Sequence, residues 1–200
     1  MASSAHFYLN WAKERIDEMD AVLTSLEGKS AQVTVSARAA AEKIVADLRT
    51  RRDAFLSEMQ QLAGASESAW LQAKTRLEGD WTIFQVDVKK YVEEFSQMQE
   101  QQKATFEGAA AAQLKAWRQA ADRIQGEAAT FAADRRAAID TAVQQMRADA
   151  TAAEANFQKV ANAGSQSWTA LTTALTESRA AFDRANQVAW DALKRADNAA

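Results

Sequence analysis

The chain has no cysteine, no proline and a single histidine, His6, in 200 residues. Without cysteine it has no disulfide, no thiolate chemistry and no cysteine zinc site, a composition that fits a reducing compartment. One histidine excludes a two-histidine metal site and the paired Glu-x-x-His motifs of a di-iron bundle within one chain. It also leaves the serines without a base to activate them, and no Gly-x-Ser-x-Gly elbow or phosphate-cradling glycine loop is present. His6 reads as an exposed residue near a fraying end. The expectation is a non-enzymatic protein with no catalytic residue, no cofactor and no metal.

No stretch approaches the ~20 uncharged apolar residues of a membrane span. The first ten residues have no basic flank or apolar run, and Lys13, Glu14 and Arg15 follow at once. That pattern predicts no cleaved secretion signal and a cytoplasmic location. The net charge is -3. Residues 1–98 carry 12 Lys and Arg against 15 Asp and Glu, and residues 99–200 carry 12 against 12, so neither half is a basic body suited to nucleic acid. With no proline and only six glycines, little forces the backbone to turn, and few, very long helices are expected.

What the chain does have is alanine, which favours helix strongly but buries little surface, so helices come easily and a thick core does not. It is also written twice. A shift of 98 residues lays Gly28 on Gly126, Arg38 on Arg136, Val45 on Val143, Arg49 on Arg147, Trp70 on Trp168, Leu77 on Leu175 and Phe84 on Phe182. Conservative matches such as Ile16 on Leu114, Met19 on Trp117 and Met59 on Phe157 fill the gaps. What repeats is a pattern of apolar side chains rather than a set of reactive groups, so the expected domains are two tandem helical copies, 1–98 and 99–200.

Apolar or small residues run in a 3-4 alternation through Ile16, Met19, Leu23, Leu26, Ser30, Val33, Ala37, Ala40 and Ile44, crossing Gly28 without interruption, then through Leu48, Phe55, Met59 and Leu62. This predicts one helix over 5–62. Breaks are expected at 63–68 and 161–167, where Gly64 or Asn162 and Gly164 close a helix and a serine caps the next. A central helix over 66–161 and a last one over 165–198 complete an elongated antiparallel coiled coil of few long helices. The competing layout breaks each copy near Gly28 and Gly126 into two three-helix units.

Carboxylate pairs such as Glu93 with Glu94, or Asp17 with Glu18 or Asp20, read as solvated faces, because a calcium site needs a tight loop. The cluster Arg49, Arg51 and Arg52 reads as helical ion pairing with Asp47 and Asp53. Trp70 and Trp81 stand 11 residues apart, close to three helical turns, as do positions 168, 179 and 190. These positions share a face, read first as a core stripe. The candidate interaction face comprises Trp70, Trp81, Phe84, Trp117, Trp168, Phe182 and Trp190.

The segment Ala69-Trp70-Leu71 through Trp81-Thr82-Ile83-Phe84, after a charged heptad helix and a Gly-Ala-Ser turn, resembles small bacterial coiled-coil proteins of about one such unit with a tandem Ala-Trp pattern. That likeness covers residues 38–95 best and 136–193 less well, where Arg179 replaces the second tryptophan, and it implies a loose association with stress and no defined activity. The 11-residue step is also similar to that of phasins and apolipoprotein-like helices, although apolipoproteins punctuate their helices with proline and this chain does not. The reading is a structural or interaction protein, self-associating or paired with another coiled-coil protein, with no nucleic-acid partner. The alternative is an amphipathic coat on lipid or a hydrophobic granule.

Overall fold

The computed structural model describes residues 5–30, 33–95, 99–163 and 167–198, with only the backbone of residues 5, 6, 30 and 99. Every regular element among them is an α-helix: α1 Ala5–Ser30, α2 Val35–Gln61, α3 Glu67–Phe95, α4 Gln99–Ala128, α5 Ala133–Asn162 and α6 Trp168–Asn198. The side chain of His6 lies outside the described residues.

The single helix expected over 5–62 is broken, and so is the central helix expected over 66–161. Val33 and Thr34 leave the helical path, and Thr34 is extended at φ -55°, ψ 149°. Its carbonyl accepts the amides of Ala37 and Arg38, both at 3.0 Å, and so starts α2. Consecutive β-branched residues, Val33-Thr34-Val35, resist helix at this point. In the second half, Thr130 Oγ1 donates to the Glu127 carbonyl at 2.7 Å, and the amides of Thr130 and Phe131 reach back only three residues. The last turn of α4 tightens and ends. Ala132, extended at φ -62°, ψ 155°, then opens α5. Gly28 and Gly126 themselves stay helical, just upstream of these breaks. The junction at 96–98 lies outside the described residues.

The breaks let each helix find more than one neighbour, which an alanine-rich pair could not do. α1 and α4 form the central pair. They run antiparallel, since Ser25 meets Thr105 at 2.9 Å, Glu18 meets Gln113 at 2.8 Å and Asn10 meets Arg123 at 2.8 Å. α2 lies on α1, with Trp11 and Phe55 rings 6.3 Å apart, and α5 lies on α4, with Phe106 and Phe157 edge to face at 5.6 Å. α3 packs on α2 and α1, while α6 packs on α5, α4 and α1. The core therefore follows α1 and α4, from Trp11, Met19 and Leu26 to Phe106, Trp117 and Ile124.

Breaking the helix also changes the register of α2. The seam predicted through Ala37, Ala40 and Ile44 is exposed or half-buried, and Ala41 and Val45, one position along, are buried instead, with Leu48 and Phe55 as expected. A continuous helix would hold its seam on one line. A new helix sets its own rotation, and here it turns toward α1. The break expected at 63–68 falls between α2, which ends at Gln61, and α3, which begins at Glu67, but the cap is Leu62 at φ -86° and Gly64 takes no positive φ. The expected serine caps are present: Ser66 Oγ accepts the Ala69 amide at 3.3 Å, and Ser167 Oγ accepts the Ala170 amide at 3.3 Å ahead of the other tryptophan-led helix. Residues 164–166 of that second loop lie outside the described residues.

Candidate functional site

All seven aromatic residues of the candidate face are buried within the chain, the most exposed being Trp168 at 9%. Trp70 stacks on Tyr8 with ring centroids 5.6 Å apart and planes 9° apart, joining α3 to α1. Trp117 meets Phe182 edge to face at 5.5 Å, joining α4 to α6. Trp81 stacks on Phe84 at 5.8 Å, and the Arg179 guanidinium lies over the Trp81 ring, 5.1 Å from its centroid. Residues 81 and 179, which the 98-residue shift superposes, thus touch each other.

Arg179 belongs to a polar ladder between α1 and α6 that the sequence reading missed. Asn10 donates to Asn186 Oδ1 at 3.4 Å, and Asn186 donates to the Phe7 carbonyl at 3.2 Å. Further along, Arg15 grips both carboxylate oxygens of Asp183, at 2.9 and 2.7 Å, a bidentate fork. At the far end Arg179 Nε donates to Glu18 Oε2 at 2.9 Å, and Gln113 of α4 donates to the same oxygen at 2.8 Å. Glu18 is therefore not on a solvated face: it is only 3% exposed, because α1 has neighbours on nearly every side. Glu93 and Glu94 are exposed, as expected. The signal for the ladder is in the spacing: Asn10, Glu14 and Glu18 fall at i, i+4 on one line of α1, and Arg179, Asp183 and Asn186 form a matching line on α6.

Glu14 is the odd member of this ladder. It is 1% exposed, its Oε2 accepts from Arg15 at 2.9 Å, and its Oε1 has no partner. Three acids, Glu14, Glu18 and Asp183, face two arginines, Arg15 and Arg179. Burial pushes the Glu14 carboxyl up to about 8, Glu18 and Asp183 push the same way, and the two arginines pull against them. The shift favours the protonated form of Glu14 at neutral pH.

Beside Glu18 and Arg179 opens a cleft of about 280 Å³ between α3 and α6, walled by Trp81, Phe84, Trp168 and Leu175. Three threonines on its sides, Thr82, Thr172 and Thr176, donate their hydroxyls to carbonyls of their own helices, so they turn little hydrogen-bonding capacity into it. The basic cluster of α2 joins helices rather than lying along one. Arg49 pairs with Glu27 of α1, Arg52 with Asp20 of α1 and with the neighbouring Asp53, and Arg51 with Asp87 of α3 at 2.9 Å. Asp47 takes Lys43 instead. Each of these exposed pairs contributes little energy, about 0–1 kcal/mol. Together they orient α2.

Among the described residues no group of His, Cys, Asp and Glu is placed to hold a metal ion, and no helix is long and apolar enough to cross a membrane. Among the described residues the large apolar side chains left exposed are Val35, Leu71, Ile83, Val86 and Val188. No protein-family model, no curated protein and no solved structure matches the chain.

Proposed function

We propose that this chain is a non-enzymatic interaction protein of the cytoplasm, an antiparallel coiled-coil bundle of two tandem copies, 1–98 and 99–200, that self-associates or docks another coiled-coil protein through its helix exteriors. Support for the duplication comes from helix limits and contacts that recur at the same 98-residue shift. α1 and α4 end at Ser30 and Ala128, and α2 and α5 begin at Val35 and Ala133. Arg49 reaches Glu27, and its counterpart Arg147 reaches Gln125, the counterpart of Glu27. The antiparallel crossing of α1 and α4 is centred near Ile16 and Leu114, themselves an equivalent pair. Such a centre, with 81 touching 179, is what a two-fold relation between copies produces.

The observation that carries the functional reading is the burial of all seven aromatic residues against partners in the same chain. A coat on lipid or a granule would need those faces outside, and one surface cannot serve both partners at once. The resemblance to stress-associated coiled-coil proteins points the same way. Tryptophan emission tests the choice: on titration with anionic vesicles it should stay blue-shifted and unquenched by lipid-borne quenchers. A lipid-dependent shift that disappears in the Trp70→Ser, Trp168→Ser double variant would establish the coat instead.

A further inference from the structure

α3 carries two heptad lines. The inner one, Trp70, Ala73, Leu77, Trp81, Phe84, Val88 and Tyr91, is buried. The outer one, Gln72, Arg76, Gly79, Ile83, Val86, Lys90 and Glu93, also advances in steps of four and three, yet every residue of it is exposed. An exposed 3-4 line with Ile83 and Val86 at its middle, 43% and 59% exposed, has the form of a coiled-coil seam without its partner.

We propose that this outer line is a homodimer interface, in which α3 of one chain pairs antiparallel with α3 of a second copy about a two-fold axis between residues 84 and 85. The occupant follows from the order of side chains along the line. Reversing α3 about that point sets Ile83 against the second copy's Val86, and Val86 against its Ile83, so the apolar middle meets itself. The same register sets Arg76, which within its own chain pairs with Glu58, against Glu93, which takes Lys89 at 3.7 Å, so that opposite charges meet at both ends. Gly79 meets Lys90, and the glycine leaves room for the lysine stem, since nothing lies within 4 Å of the place its Cβ would occupy. The pattern is self-complementary, as an isologous contact requires. One like-charge approach, Asp80 to Asp87, is offset because Arg51 already holds Asp87 at 2.9 Å. A small apolar ligand in the neighbouring cleft would leave Ile83 and the exposed side of Val86 in water, whereas a helix laid along α3 covers both.

This interface rests on the interaction reading above and is tested on the full chain. Sedimentation over a range of concentrations should show a reversible monomer–dimer equilibrium, and Val86→Glu, or Ile83→Glu with Val86→Glu, should weaken it at least tenfold; Val188→Glu, on α6, should not. Because the chain has no cysteine, the double variant Gly79→Cys, Lys90→Cys should become a covalent dimer under mild oxidation, while Gly79→Cys alone should not. A dimer indifferent to Val86→Glu, or efficient self-linking of Gly79→Cys, would overturn this surface or its antiparallel register and leave the interaction reading standing. A chain monomeric at every concentration would overturn the homodimer and the self-associating form of that reading together. Loss of vesicle binding in Val86→Glu, with no dimer in the parent, would assign the face to lipid and overturn the proposal.

Discussion

Glu14→Gln should stabilise the protein, and by an amount that depends on pH. In the folded chain the Glu14 carboxyl titrates at about 8 instead of 4.5. An acid whose folded value is raised binds more protons folded than unfolded throughout that interval, so its contribution is fully present below about pH 4.5 and is lost as the pH rises toward 8. At pH 7 the gap above the unfolded value corresponds to about 3 kcal/mol, at roughly 1.4 kcal/mol per pH unit. Above pH 8 it levels at about 5 kcal/mol. Glutamine has the shape of the protonated acid: its Oε1 can accept from Arg15 as Glu14 Oε2 now does, and Arg15 keeps its fork on Asp183. The substitution removes the proton requirement with little change in packing.

Urea unfolding followed by circular dichroism, run on parent and variant near pH 5, 7 and 9, gives the difference directly, since titrating groups remote from the ladder cancel between the two. The expected result is a small difference near pH 5 that grows with pH in favour of glutamine. A difference that does not change with pH, or a variant less stable than the parent near pH 9, would mean that Glu14 is ionised in the folded chain and that the ladder accommodates three negative charges.

Gly28→Ala and Gly126→Ala should each stabilise the chain by up to ~1 kcal/mol, because both glycines are helical and an added Cβ would meet nothing within 4 Å; thermal melts that move downward would show that a helix end needs the freedom of glycine there. Trp117→Ala should cost about 3–5 kcal/mol, whereas Leu71→Ala, at an exposed position, should stay within about 0.5 kcal/mol; equal losses would contradict the assignment of the core. Dilute small-angle scattering should give a maximum dimension far below the ~140 Å of one helix over 66–161, because the longest helix among the described residues, α6, has 31 residues and spans about 45 Å. A rod-like profile would return the chain to the continuous-helix layout.

The helices and the hairpin at 62–66 were legible because their determinants are local. The Ser66 cap and the apolar line of α3 act within a few residues, and burial of Trp70 and Trp81 follows from that line. The breaks near 33 and 131 were not legible from periodicity, since helices facing one core continue a 3-4 alternation across a turn almost as smoothly as one helix does. What stops them is weaker signal: β-branched Val33-Thr34-Val35, and a threonine hydroxyl drawing on the Glu127 carbonyl. The ladder was hidden for a different reason. Glu18 and Arg179 are 161 residues apart; Glu18 alone looks like a residue of a solvated face, and Arg179 falls on a line with Trp168 and Trp190 that reads as a core stripe. Only the pairing of two spaced lines on two helices reveals them.

The ladder also accounts for which helix is left with an open face. Under the two-copy reading, the polar residues of α1 and α6 have counterparts of another kind: Glu18 corresponds to Ala116, Arg179 to Trp81, Asp183 to Gln85 and Asn186 to Val88. The α1–α6 contact is therefore built of paired polar groups, while the equivalent α4–α3 contact has no such pairs to make. α6 packs on α1 as well as on α4 and α5, whereas α3 packs mainly on α2 and only lightly on α1. Buried ion pairs of this sort add little stability over apolar packing, but an unpaired buried charge costs several kcal/mol, so they discriminate sharply between neighbours. Removing the ladder's counterparts from the first copy frees α3 from a matching internal partner. In the homodimer proposed above, its outer line, with Ile83 and Val86 at the centre, is the surface that the second chain would cover.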